Sequence, residues 1–143
     1  MHVKIINKSS NPLPRYETIG SAGFDLRANL ETAITLQPFE RRLIPTGLFM
    51  EIPLGFEGQI RPRSGVAFKR GLTCANTPGT IDSDYRGEVQ LPMINLSTEP
   101  QGIEPGERLA QMIIAKHERV EWVVADSLDN TDRGAGGFGS TGK

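Results

Sequence analysis

Apolar residues recur along this chain in short alternating runs rather than at helical spacing. Such runs predict strands over 3–6 and 33–36, and over 24–28, where alternation puts Asp25 on the opposite side from Phe24 and Leu26. A longer strand region, 41–52, is interrupted by Pro45 and Gly47, which predicts a bulge or an edge. Residues 56–60 follow the turn at Pro53 and Gly55. Leu72, Cys74 and Ala75 on one side, and Val89, Leu91, Met93 and Ile94 on the other, read as two arms of a hairpin around Pro78 and Gly79. Pro92 keeps the second arm irregular. Residues 108–116 read as strand rather than helix, because Pro105 and Gly106 form a turn before them and Val120, Trp122, Val123 and Val124 continue a β pattern after them. Only 61–71 breaks the rhythm, with Ser64 as the expected cap, one or two helical turns through Val66, Ala67 and Phe68, and Gly71 as the stop. The expectation is an all-β sandwich or barrel with one short helix.

Composition sharpens this. With 143 residues, 37% hydrophobic, 16 Gly and 10 Pro, the chain fits one domain of short strands and tight turns. Its low apolar mass suggests that neighbouring subunits complete part of the core. A net charge of −1 gives no footprint for duplex nucleic acid and no polybasic membrane patch. A polyanionic ligand must therefore meet locally clustered Arg and Lys, helped by a metal ion. The single cysteine, Cys74, excludes an internal disulfide framework and a cysteine-based zinc site. His2 and His117 stand alone, without ligand-like spacing. The apolar run at the N-terminus is too short for a signal peptide and no stretch spans a bilayer, so the cytoplasm is the expected compartment.

Three stretches carry candidate chemistry. Asp82 lies between the two predicted hairpin arms, beside Ile81 and close to Tyr85 and Gly87. A carboxylate on a rigid element suits a general base, and equally an aspartate that only makes a turn. Arg63 and Ser64 at a helix start form an anion site, or a capped surface turn with incidental arginines. The glycine-rich tail from Arg133 to Lys143 cannot offset its own ordering entropy, so it is expected to stay mobile until a ligand holds it; its backbone N–H groups can wrap phosphate oxygens. Its GFGSTGK at 137–143 matches a P-loop to the last position, but the strand before it, the hydroxyl residue after Lys143 and the following helix are missing.

Five segments in order, AGFDLRA at 22–28, PRSG at 62–65, NTPGTIDSDYRG at 76–87, RLAQ at 108–111 and RGAGGFGSTG at 133–142, resemble the five motifs of the trimeric dUTPases (dUTP diphosphatases). The resemblance covers essentially the whole chain, and the third and fifth segments are its most specific parts. It implies a jelly-roll-like β barrel over 1–132, a tail at 133–143 that closes over the active site, and a homotrimer with sites between subunits. It also implies hydrolysis of dUTP to dUMP and diphosphate, which limits uracil in DNA and supplies dUMP for thymidylate synthesis, with Mg²⁺ held mainly by the triphosphate.

Carried onto this chain, the resemblance makes Asp82 the base that activates water for attack on the α-phosphorus. Asn76, Gly79, Thr80, Ile81 and Asp82 would read the uracil edge, Tyr85 would pack on the deoxyribose, and Gln90 would contribute beside them. Arg63, Ser64, Gly65 and Gln111 would bind phosphate, and Asp25 would act through metal-bound water or brace the site. From the tail, Phe138 would stack on uracil while Arg133, Gly139, Ser140 and Thr141 would hold the distal phosphates. A dCTP deaminase-like enzyme is the alternative within the fold, and a non-catalytic trimeric interaction protein the alternative outside enzymes. Neither nucleic acid nor membrane is an expected partner.

Overall fold

The computed structural model describes residues 1–137. Ten strands form in chain order, with one helix between the fifth and sixth: β1 (Lys4–Asn7), β2 (Phe24–Arg27), β3 (Ile34–Leu36), β4 (Arg41–Glu51), β5 (Phe56–Pro62), α1 (Ser64–Arg70), β6 (Leu72–Cys74), β7 (Gly79–Ile81), β8 (Val89–Asn95), β9 (Gln101–Ile103) and β10 (Arg108–Lys116). One four-stranded sheet runs β1-β4-β8-β6, a second runs β2-β10-β5-β7, and β3 pairs with β9 in a small ribbon. The strand pairs are antiparallel, and the two larger sheets enclose one core in a jelly-roll-like barrel.

Alternation explains the core. Along β8, Val89, Leu91, Met93 and Asn95 are buried and the residues between them are half-exposed. They meet Leu26, Ile60, Leu109 and Met112 of the second sheet and Ile44 of β4 in the same apolar cluster. Asn95 is the polar member, and its hydrogen bonds are satisfied. Its amide donates to the carbonyls of Leu36 (3.0 Å) and Glu99 (2.8 Å), and its Oδ1 accepts from the Ser97 N–H (2.9 Å) and hydroxyl (2.7 Å).

The interruption in β4 is a bulge inside the sheet, not an edge, since β4 lies between β1 and β8. The register slips between Pro45 and Leu48, and Gly47 takes φ +72°. A Cβ there would lie 2.7 Å from Cβ of Ser9, so conformation and space both require glycine.

Three local expectations are corrected. Ser64 is the first residue of α1 rather than its cap. Arg63, extended at φ −75° and ψ 132°, stands at the N-cap with no side-chain cap bond, while Gly71 closes the helix in the left-handed region as its sequence predicts. The central hairpin is not a simple one: β6 and β8 do pair, with Cys74 opposite Met93, but the chain between them crosses to the other sheet, where β7 pairs with β5. Residues 120–124 form no strand, and Val120, Trp122, Val123 and Val124 are exposed.

Candidate active site

The second sheet places a row of polar side chains on its outer face. Asp25 of β2, Gln111 of β10 and Arg61 of β5 stand in cross-strand register. Gln111 is thus half-exposed on the surface rather than needing partners inside. It lies close against Gly23, where a Cβ would come 2.8 Å from its Oε1. β5 then delivers Arg63. Its Nε lies 3.0 Å from Oδ1 of Asp25, its backbone N–H donates to the Leu109 carbonyl (3.3 Å), and its Nη1 donates to the Arg108 carbonyl (3.3 Å). Arg108 Nη1 donates to the second oxygen of Asp25 at 3.2 Å.

One carboxylate therefore holds two guanidinium groups, which leaves Asp25 far from a freely solvated strand residue. The cleft around them is lined also by Ser64, Gly65, Lys69 and Gln111, with Glu17 at its rim, 3.8 Å from Arg108. Space in front of Gly65 is open. Arg63, Lys69 and Arg108 against Asp25 and Glu17 leave a net positive charge, as an anion requires.

A second cleft gathers Asn76, Thr80, Ile81, Asp82, Tyr85 and Gln90, walled by Leu43, Glu88 and Pro92. β7 is the outermost strand of its sheet, so one side of its backbone pairs with β5 and the other side is left open. Gly79 is buried at its start, where a Cβ would come within 3.3 Å of the Asn76 amide. Asp82 is exposed, and its carboxylate makes no hydrogen bond among the described residues. The Tyr85 N–H donates to the Asp82 carbonyl (3.2 Å), and the Tyr85 hydroxyl donates to the Glu88 carbonyl (3.0 Å). The ring folds over Gly87, where a Cβ would lie 2.3 Å from the hydroxyl oxygen.

The predicted residues thus fall into two clefts of one chain, one basic and one bearing Asp82. Arg133 lies in neither. Its Nε donates to the Gly136 carbonyl (2.8 Å) in an exposed turn, and Phe138, Gly139, Ser140 and Thr141 lie outside the described residues. Several lining residues escaped the sequence reading, among them Glu17 and Lys69 of the basic cleft and Leu43 and Pro92 of the other. Two more, Arg108 and Glu88, matter most. Arg108 sat inside a quoted motif, but its tie to Asp25, 83 positions away, has no local signature; Glu88 carried no signal beyond its place after Gly87.

Among the described residues no group of three His, Cys, Asp or Glu side chains could hold a metal ion. Asp25, the one candidate carboxylate in the basic cleft set on a strand, already has both oxygens engaged by guanidinium groups. This donor set fits a hard cation that arrives on phosphate oxygens and keeps its waters, not a resident ion. No helix among the described residues is long and apolar enough to cross a membrane.

Comparison with known proteins gives the family and the fold. The dUTPase family model matches residues 9–142. The deoxyuridine 5'-triphosphate nucleotidohydrolase of Finegoldia magna is 59% identical over 142 residues, 99% of each chain, and that of Fusobacterium nucleatum is 54% identical over 100% of this chain and 98% of its own. The fold matches a Staphylococcus bacteriophage 80alpha dUTPase mutant solved with dUpNHpp, at TM-score 0.90 and 24% identity over 99% of both chains. With a family model spanning nearly its whole length and relatives more than half identical, the chain belongs to the dUTPase family.

Proposed function

We propose that the chain hydrolyses dUTP to dUMP and diphosphate at sites assembled between three copies, each site joining the Asp82 cleft of one copy to the basic cleft of another. The open edge of β7 carries this reading. Its backbone groups from Thr80 to Asp82, with the Asn76 amide and Gln90, offer fixed donors and acceptors to a flat polar ring. Uracil matches such an edge; cytosine, with its donor pattern reversed, would leave groups unpaired, and close backbone approach excludes the thymine methyl. The Tyr85 ring covers the sugar where a 2′-hydroxyl has no room.

Asp82 then orients a water and takes its proton as the water attacks the α-phosphorus. An exposed carboxylate with no hydrogen-bond partner among the described residues suits that task. Arg63, Ser64, Gly65 and Gln111 bind phosphate oxygens, Arg108 joins them, and Asp25 holds the two guanidinium groups in place. Asp25 would reach, through water, a Mg²⁺ carried on the triphosphate, and that ion would supply charge neutralisation for the leaving diphosphate. Residues 133–143 form a tail that closes the site, with Phe138 on the base and Arg133, Gly139, Ser140 and Thr141 on the distal phosphates. Exposed Val120, Trp122, Val123, Val124 and Leu128 supply apolar area for contact between copies, and the cytoplasm, where deoxynucleotides are made, is the compartment this reaction suits.

A panel of dUTP, dTTP, dCTP and UTP assayed for diphosphate release, with light scattering for the mass in solution, tests the reading. The expected result is release from dUTP in large preference to the other three, by a particle three times the mass of the chain. Ammonia from dCTP, or a catalytically competent monomer, would overturn it.

A further inference from the structure

The β4 bulge creates a polar problem that the site-bearing loop solves. Ladder pairing joins Pro45 to Gln90 and Leu48 to Val89, so Thr46 and Gly47 have no opposite number in β8. Their polar groups must find partners in a part-buried setting. The Thr46 hydroxyl donates to the Val89 carbonyl at 2.5 Å. The Gly47 N–H donates to Oε1 of Glu88 at 2.7 Å. Glu88 faces the Asp82 cleft, and its other carboxylate oxygen lies 3.5 Å from the Gln90 amide nitrogen. Its backbone carbonyl receives the Tyr85 hydroxyl.

We infer that Glu88 is a positioning residue for substrate selection, fixing the Tyr85 ring and the Gln90 amide by anchoring both to the rigid β4 bulge. The inference rests on the reading of Tyr85 as the group that senses the sugar. The Gly47 N–H pins the Glu88 side chain, and through it the short segment from Gly87 to Gln90. The Tyr85 hydroxyl then has a fixed carbonyl to meet, so its ring stands at one height above the sugar pocket. Without the carboxylate, the Glu88 carbonyl and the Gln90 amide lose their common reference and the ring can tilt. Discrimination against a 2′-hydroxyl suffers first, because it depends on the ring excluding one oxygen atom. The chemical step depends on Asp82, whose side chain Glu88 does not touch.

The test compares Glu88→Ala, Glu88→Gln and Tyr85→Ala with the unaltered protein, measuring kcat and KM for dUTP and UTP and the melting temperature. Loss of a charge-assisted hydrogen bond in a part-buried site predicts that Glu88→Ala raises KM for dUTP about tenfold and lowers the dUTP-to-UTP ratio of kcat/KM by a similar factor, with kcat for dUTP changed less than about threefold. Glu88→Gln keeps an oxygen for the Gly47 N–H and restores the ratio to within about threefold. An unchanged ratio in Glu88→Ala, while Tyr85→Ala lowers it, overturns the role of Glu88 and leaves the site reading intact. An unchanged ratio in Tyr85→Ala removes the sugar-sensing role and this inference with it. If Glu88→Ala and Glu88→Gln lower melting temperature and kcat in parallel without moving the ratio, the residue only supports the fold and the inference fails.

Discussion

Asp25 holds Arg63 through an ion pair of 3.0 Å from Oδ1 to Nε, and its other oxygen holds Arg108 at 3.2 Å. Two guanidinium groups converge on one cleft because one carboxylate stands between them. Asp25→Asn removes that charge and leaves the two cations to repel each other. The expected outcome is a rise in KM for dUTP of about tenfold or more, with a stability loss of only about 1–2 kcal/mol, since the groups are partly solvated. Steady-state kinetics beside chemical denaturation separates the two effects.

Asp82→Asn keeps the shape of the edge of β7 and removes the proton acceptor. Binding of dUTP is expected to persist while turnover falls by about 10²–10⁴-fold, the range of a lost general base. Calorimetric titration and single-turnover assays read the two quantities separately. A variant that hydrolyses dUTP at the normal rate would falsify the assignment of the base.

Gly87→Ala is expected to behave as a displacement of Tyr85. The added methyl meets the tyrosine hydroxyl at 2.3 Å and its Cζ at 2.5 Å, so the ring must leave its place. Both kcat/KM for UTP and KM for dUTP should then rise, while the melting temperature changes little because Tyr85 is already exposed. Kinetics that leave both nucleotides unaffected would show that the ring position is irrelevant to selection.

Removing residues 133–143 deletes no member of the core cluster found among the described residues. The melting temperature and the oligomeric mass are expected to stay as they are, with turnover of dUTP lowered at least tenfold, the order of one lost charge-assisted contact. Unaltered kinetics in the truncated protein would take the tail out of the mechanism.

Burial pushes the Cys74 thiol up to about 11, from 9.0 for a thiol in water. The native thiol should resist alkylation at pH 8 and react only on unfolding. Because the folded chain keeps its proton where the unfolded one has lost it, this contribution is complete below pH 9 and is lost as pH climbs toward 11. Its ceiling is about 2–3 kcal/mol. Denaturation at pH 8 and pH 10.5 against Cys74→Val isolates it, and the variant should show the shallower decline.

Much of the barrel was legible because turn residues punctuate it and alternation is clean, as along β8, where every second residue is buried. The bulge in β4 announced itself through Pro45 and Gly47. What stayed hidden depended on distant partners. β7 has three residues and no periodicity, and its pairing with Gly58, Gln59 and Ile60 was decided by the other sheet. The apolar run at 120–124 has strand composition, yet within one chain it finds no edge to join. In the candidate site, Asp82, Tyr85 and Arg63 stood out by chemical type, whereas the Asp25–Arg108 pair and the Glu88 anchor exist only in three dimensions.

The crossing of β7 from the first sheet to the second ties folding to the proposed base-binding edge. Strands β6 and β8 anchor the two ends of the loop in one sheet while β7 is zipped onto β5 in the other. Opening the barrel between its sheets therefore pulls β7, the strand proposed to read uracil, off its template. The amides that β7 gives to β5 should exchange with solvent only through the global opening that exposes Leu91 and Met112, not through local fraying. Thermal inactivation and loss of core packing should then trace a single curve, with no stage at which a half-open barrel still recognises its nucleotide.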